Sequence, residues 1–246
     1  RLRQIGKFGY GIFAANPMFV IRDEKIVPVK YPDRVKLSAL SGYEDERQAV
    51  IANTRALLSG KHAQNVLLCG DAGTGKSTTV KAVVNEFFGE GLRLIRITKN
   101  DLPMLPEIME QIHDNPLKFI LFFDDLSLSA EEDSLGILRA MLEGSVAARP
   151  ENTVIYAASN QIPERIDDAS SPEQQALAAR FGIRVCFRRP DREAYLAFTH
   201  ALAAQYGLHM DPAALEQAAE DFAAQSGGRS PRAAKQLIEQ LSSREE

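Results

Sequence analysis

The sequence contains no tryptophan, two cysteines and four histidines in 246 residues. Two cysteines are too few for the disulfide frameworks that hold small secreted domains together. Cys69 and Cys186 each sit in an apolar run that reads as a strand, and buried thiols are expected there in preference to any redox role. The histidines (His62, His113, His200, His209) fall at no ligand spacing, which argues against a zinc site. No apolar run approaches the ~20 residues that a membrane-spanning helix requires, and no signal peptide is visible. The chain starts at Arg1 rather than Met, so a natural N-terminus further upstream is expected, as is a cytoplasmic location. Internal repeats and low-complexity tracts are absent. The net charge of −4 lacks the strong positive field of a dedicated nucleic-acid binder.

What is present is ordinary in bulk and specific in pattern. A hydrophobic content of 45% and a charged content of 25% are those of a globular domain. The length suits one α/β domain with a small appendage. Two apolar stretches, 18–21 and 26–29, flank Arg22-Asp23-Glu24-Lys25 and predict a hairpin or short strands. Residues 44–58 predict a helix with Val50, Ile51, Thr54, Leu57 and Leu58 on one face, stopped by Gly60. Asn65 to Cys69 is a continuous apolar run, the signature of a strand covered on both sides. Beyond a glycine-rich loop, Val80, Val83, Val84, Phe87 and Phe88 keep helical spacing up to Gly89. Further strands are predicted at 92–97, 119–123, 153–157 and 183–187. The intervening helices start at Asp101, run through Leu135 to Leu142, and start at Ser171-Pro172. This alternation predicts a five-stranded parallel sheet sandwiched by helices. From Asp191 only helical signals remain. Asp191, Asp211-Pro212 and Ser230-Pro231 predict three capped helices. The boundaries drawn are 1–36 for an N-terminal strand or hairpin segment, 37–189 for the α/β unit and 190–246 for a helical unit.

The chemistry is concentrated in Gly70-Asp71-Ala72-Gly73-Thr74-Gly75-Lys76-Ser77, which fits G-x-x-x-x-G-K-[ST] between a strand and a helix. Glycines allow consecutive backbone N–H groups to curl around phosphate oxygens, and the helix start adds its positive end. Lys76 is placed to reach the terminal phosphates, and the Ser77 hydroxyl is a candidate Mg²⁺ ligand. Thr78, next on the helix, completes the candidate binding set. Phe119 to Phe123 followed by Asp124-Asp125 fits a Walker B strand, whose terminal carboxylates face the ligand crevice. Asp124 is the second candidate metal ligand, direct or through water. Asp125 is the candidate that orients or deprotonates the attacking water. The cofactors expected are therefore ATP and Mg²⁺.

The order of these motifs, with a strand ending at Asn160, an arginine after a helix and a three-helix C-terminus, resembles the AAA+ superfamily of P-loop NTPases. The wording Gly70-Asp71-x-Gly73-Thr74-Gly75-Lys76-Ser77, Phe123-Asp124-Asp125-Leu126-Ser127, Leu142-Glu143-Gly144 and Tyr156-Ala157-x-Ser159-Asn160 is similar to domain-of-unknown-function family 815, from about Leu37 to Leu241. The resemblance implies an AAA+ α/β domain with a C-terminal helical lid. It implies Asn160 as sensor 1 beside the terminal phosphate, against a plain turn-forming Asn. It implies Arg180 as an arginine finger acting on a neighbouring subunit, with Arg184 as the alternative, and hence a homo-oligomeric ring or filament. It implies Arg232 as sensor 2, with Arg229 as competitor; a cation near a helix N-terminus suits a nearby phosphate. Asp125 departs from the glutamate usual in AAA+ ATPases, and Gln161-Ile162-Pro163 departs from expected basic residues.

Arg180, Arg184, Arg188, Arg189 and Arg192 form a local basic run. A subunit interface or solvated face is favoured for it over a nucleic-acid partner, which stays open without being indicated. Thr98-Lys99-Asn100-Asp101 imitates a guanine signature but precedes the acid-tipped strand, and reads as a loop with an Asp helix cap. Three functions compete. The first is an ATPase coupling hydrolysis to conformational change on an unknown macromolecular partner, away from membranes. The second is an ATP-dependent assembly switch or loader with slow hydrolysis. The third, a small-molecule P-loop kinase, has no use for Asn160, Arg180 or a helical lid.

Overall fold

The computed structural model of the chain describes residues 9–126, 132–143, 150–160 and 172–243. Seven strands form one sheet: β1 (Met18–Arg22), β2 (Lys25–Pro28), β3 (Val66–Gly70), β4 (Leu92–Ile97), β5 (Lys118–Phe123), β6 (Thr153–Ser159) and β7 (Ile183–Phe187). Their order is β2-β1-β4-β5-β6-β3-β7. The five strands expected from the apolar runs are contiguous and mutually parallel, from β4 to β7. Five was nevertheless an undercount. β1 adds to the β4 edge in parallel, with Met18 opposite Leu94, and β2 folds back antiparallel on β1. Asp23 and Glu24 make that turn with φ of 46° and 59°, the left-handed pair that matches strand twist in a two-residue hairpin.

Helices cover both faces. On one face α1 (Glu44–Leu58) and α2 (Lys76–Phe87) pack Val50, Leu57, Val80, Val83, Val84 and Phe87 against Leu68, Ile120 and Tyr156. On the other, α3 (Leu105–His113), α4 (Glu132–Glu143) and α5 (Pro172–Ala179) contribute Leu105, Ile108, Ile112, Leu138 and Leu177 to a core with Leu67, Phe119 and Ile155. β3, β5 and β6 are covered on both sides, which is why they read as unbroken apolar runs. Each fully buried side chain of this size contributes roughly 2 kcal/mol.

A charged side chain lies inside the sheet itself. Arg93 on β4 is 1% exposed and meets carbonyl oxygens instead of a carboxylate: Nε donates to Phe13 O at 2.6 Å, and its terminal nitrogens donate to Phe88, Leu92 and Ala14. Its guanidinium lies 4.1 Å over the Phe88 ring. Burial pushes its pKa down to about 10, which leaves it charged at neutral pH. These bonds make burial of the cation tolerable and tie residues 13–14 to the sheet.

Three helices follow: α6 (Arg192–Tyr206), α7 (Pro212–Gln225) and α8 (Pro231–Ser242). Asp191, Asp211 and Ser230 cap them as expected, each side chain accepting from the third residue along. Tyr195, Phe198, Ala219, Ala223, Ala234 and Leu237 pack into an apolar cluster of their own.

Two local expectations are corrected. The helix expected from Asp101 begins as a 3-10 turn, Lys99–Met104, and becomes α-helical at Leu105. Thr98 is the cap, and Asp101 returns the bond to the Thr98 N–H at 2.7 Å. Pro103, without an N–H, interrupts the helical ladder there. The two cysteines are not separate thiols. Parallel pairing sets Cys69 on β3 directly across from Cys186 on β7, with Cα atoms 4.7 Å apart, and they form a disulfide. Ser127, Gly144, Gln161, Ile162, Pro163 and Ser171 lie outside the described residues.

Candidate functional site

β3, β5 and β6 run in parallel, so their C-terminal ends open on the same edge of the sheet. The loop after β3 turns sharply. Gly70, Gly73 and Gly75 have φ of 140°, 81° and 97°, values that β-carbon-bearing residues rarely adopt. At Gly70 a Cβ would also lie 2.0 Å from the Phe187 carbonyl oxygen. α2 then starts at Lys76, pointing its N-terminal end at the loop.

Lys76 is 6% exposed. Its ammonium donates to the Gly70 and Asp71 carbonyl oxygens, each at 2.7 Å, and to Asn160 Oδ1 at 3.0 Å. These three bonds use all three N–H donors. Burial lowers its pKa from the usual 10.5; Asp71 opposes the shift, Arg232 adds to it, and Asp124 and Asp125 oppose it. The Asn160 amide donates onward to Asp125 Oδ1 at 3.0 Å. Asp125 has φ of 65°, an uncommon backbone for a non-glycine residue. Ser77 Oγ donates to Asp124 Oδ1 at 2.5 Å. Lys76, Asn160 and Asp125 thus form one relay with the Ser77–Asp124 pair beside it, drawn from two strand ends and one helix start.

This group lines a cavity of about 880 Å³ together with Ala72, Gly73, Thr74, Gly75, Thr78 and Arg232. The other end of the cavity is lined by Ala39, Leu40, Ser41, Tyr43, Phe198, Leu202 and Tyr206. Sequence reasoning missed this apolar and aromatic end. Its residues come from the turn before α1 and from α6, far apart in the chain, where the Tyr43 ring stacks on that of Phe198. The one local signal is Gly42, whose φ is 68° and whose added Cβ would fall inside the Phe198 ring.

The arginines separate clearly. Arg232 lines the cavity, and its backbone N–H donates to the Gly73 carbonyl at 3.2 Å. Its competitor Arg229 is engaged by Glu220, with NH2 to Oε2 at 2.8 Å and Nε to both oxygens at 3.1 and 3.2 Å. Arg192 pairs with Glu216 and Glu220. Arg189 contacts Asp71 of the P-loop at 4.0 Å and donates to Gly227 O at 2.9 Å. Arg180, half-buried just after α5, and the exposed Arg184 do not line the cavity.

The donor set fits a magnesium-bound triphosphate. The P-loop brings a desolvated ammonium and a helix start to one end of an open cavity. Ser77 and Asp124 are hard oxygen donors already in contact. Among the described residues no group of three or more His, Cys, Asp or Glu could hold a metal. The Ser77–Asp124 oxygen pair suits Mg²⁺, which is commonly held by one or two carboxylates together with water and substrate phosphates.

Residues 14–245 match the model of the family described as "Protein of unknown function (DUF815)". No curated protein matches the chain. Among solved structures, the Thermotoga maritima RuvB Holliday junction branch migration motor matches with a TM-score of 0.57 and 18% identity, over 83% of this chain and 63% of that one. The replication initiator DnaA bound to AMPPCP and single-stranded DNA matches with a TM-score of 0.59 and 19% identity, over 84% of this chain and 64% of that one. This chain therefore spans a little under two thirds of the length of either protein. At such identities the likeness is one of fold alone, a parallel sheet covered by helices.

Proposed function

The chain belongs to the DUF815 family, and from that premise we propose that it binds Mg-ATP in the 880 Å³ cavity and hydrolyses it as an AAA+ ATPase. The observation that carries this reading is the relay Lys76–Asn160–Asp125 beside the Ser77–Asp124 pair. The P-loop backbone and Lys76 hold the triphosphate. For the Lys76 ammonium to engage a terminal phosphate it must exchange one of its three present acceptors. Asn160 Oδ1, the side-chain acceptor, is the one that can move. Ser77 and Asp124 would hold Mg²⁺, which when bound neutralises charge on the phosphate oxygens. Freed from Lys76, the Asn160 amide stays on Asp125 and sets its carboxylate. Asp125 then orients the attacking water and accepts its proton as the bond to the terminal phosphorus forms, giving ADP and inorganic phosphate.

Arg232 approaches the phosphates from the N-terminal end of α8, where the engagement of Arg229 by Glu220 leaves it as the better sensor 2. The base end, lined by Tyr43, Phe198 and Tyr206, suits a purine. Arg180 is assigned to a neighbouring copy's site, in a homo-oligomeric ring or filament acting on a macromolecular partner. The fold's likeness to a branch migration motor and to a single-stranded-DNA-bound initiator is consistent with a nucleic-acid partner and does not select one. No helix among the described residues is long and apolar enough to cross a membrane.

A slow switch is favoured by one feature. Asp125 is one methylene shorter than the glutamate usual at its position and is held by Asn160, so turnover can be low while binding is tight. The test is the specific ATPase rate as a function of chain concentration. A rate that rises with concentration, and is lost in Arg180→Ala while nucleotide affinity persists, supports a finger supplied between copies. Full activity in Arg180→Ala removes that assignment. Tight binding with negligible turnover at every concentration selects the switch.

A further inference from the structure

The connector Arg188 to Asp191 joins β7 of the sheet to α6 of the helical unit, and it is held from two sides. On the base side the Tyr43 hydroxyl donates to the Arg188 carbonyl at 2.6 Å. The Tyr43 ring packs on Phe187 at 5.2 Å and stacks on Phe198 of α6 at 5.7 Å and 22°. Tyr43 has φ of 55°, a left-handed backbone that no solvent-facing cap position demands of a tyrosine. Burial, with Glu46 and Asp71 adding to it, pushes its phenol pKa well up, so the hydroxyl remains a donor. On the phosphate side the next residue, Arg189, reaches Asp71 of the P-loop at 4.0 Å and the Gly227 carbonyl of the α7–α8 turn at 2.9 Å. Gly228 makes room for this, since a Cβ there would lie 2.3 Å from the guanidinium.

Two consecutive connector residues are therefore bonded to Tyr43, which lines the cavity, to Asp71 of the P-loop and to the α7–α8 turn. We propose that Tyr43 and Arg189 are positioning residues that set the helical unit, and with it Arg232, according to what occupies the base and phosphate ends of the cavity. This rests on the nucleotide reading above and names the coupling within it. A purine entering beside Tyr43 meets a ring already wedged between Phe187 and Phe198, so displacement of that ring moves the Arg188 carbonyl. A triphosphate at the P-loop competes for Asp71's surroundings and alters what Arg189 can hold. The Arg189–Asp71 contact is half-exposed and screened, so it adjusts the position of the unit without locking it. The backbone bond from Arg232 N–H to Gly73 O is the point at which that position is felt by the phosphates.

The test uses the full chain, Mg²⁺ and a non-hydrolysable ATP analogue. Tyr43→Phe removes one hydroxyl and keeps both ring contacts, and Arg189→Gln removes the charge and the two-sided reach; melting temperatures confirm that both fold. In the wild-type chain the analogue is expected to slow amide exchange in residues 187–192 and 226–233. In either variant the analogue still saturates the cavity, and in Arg189→Gln, which does not line it, the Kd stays within about threefold of wild type. The slowing at those two segments is lost, and kcat falls roughly tenfold with little change in KM. Exchange and kcat that respond as in the wild type would overturn the coupling alone. Absence of analogue binding to the wild-type chain would overturn the nucleotide reading, and the coupling with it.

Discussion

The two ends of the cavity were built under different constraints. On our reading the phosphate end takes backbone N–H groups and a point cation, which sit together in Gly70 to Thr78, and Asp124, Asp125 and Asn160 join them from the ends of β5 and β6. The base end needs only apolar enclosure. Leu40, Tyr43, Phe198, Leu202 and Tyr206 supply it from two distant segments, and many other apolar residues could do the same. Electrostatic chemistry writes itself locally in a chain; shape complementarity is written in the fold. The difference also predicts how each end fails when altered: charge and polar changes at the phosphate end should cost orders of magnitude, and steric changes at the base end much less.

The largest effect expected is on turnover. Asp125→Asn should lower kcat by about 10³-fold while leaving the Kd for Mg-ATP within a few-fold, since it removes a proton acceptor and not a binding contact. Single-turnover hydrolysis and equilibrium binding read the two halves of that statement. Lys76→Ala should weaken Mg-ATP by about 100-fold, through loss of a charge-assisted bond and of the three acceptors it now satisfies. Inorganic triphosphate, which has no base, should lose affinity to the same degree. Gly42→Ala should separate the ends in the other direction. Its Cβ would collide with the Phe198 ring, so Mg-ATP should weaken by about tenfold and melting by about 1–2 kcal/mol, with inorganic triphosphate nearly unaffected. Equal loss for both ligands would break the comparison.

The smallest effect is a pH dependence. Burial lowers the Lys76 pKa below 10.5. The folded apo chain thus releases that proton at lower pH than the unfolded chain does. Between the lowered pKa and 10.5 the unfolded state holds more protons, so this group's contribution to folding stability rises with pH. Phosphate binding runs the opposite way because it needs the ammonium. The Kd for Mg-ATP should weaken severalfold as pH climbs toward 10.5, and Lys76→Arg should flatten that profile.

Much of the architecture could be read from the chain because central strands are both buried and continuous. β4 and β7 were placed at 92–97 and 183–187, and all three caps of the helical unit were identified. The hairpin was visible too, but not that its first strand joins β4: an edge pairing depends on where Phe19 can be buried, and nothing in residues 18–28 states that. The disulfide was hidden for a related reason. Cys69 and Cys186 are 117 residues apart, and only the parallel register of β3 with β7 brings them opposite. Asp101 was mistaken for a cap because Asp is a good cap in general; Thr98, three residues earlier, takes the role and Asp101 completes the box. Between Arg229 and Arg232, spacing could not choose. Glu220, a turn of chain away on α7, holds Arg229, which favours Arg232 in the reading proposed above.

The central claim is that the Lys76–Asn160–Asp125 relay and the Ser77–Asp124 pair await a magnesium-bound triphosphate. Isothermal titration of the chain with ATP, in the presence of Mg²⁺ and then of excess chelator, tests it most directly. The expected result is one equivalent of ATP bound with Mg²⁺ present and a large loss of affinity without it. Well-folded protein that takes up no adenine nucleotide in either condition would contradict the account.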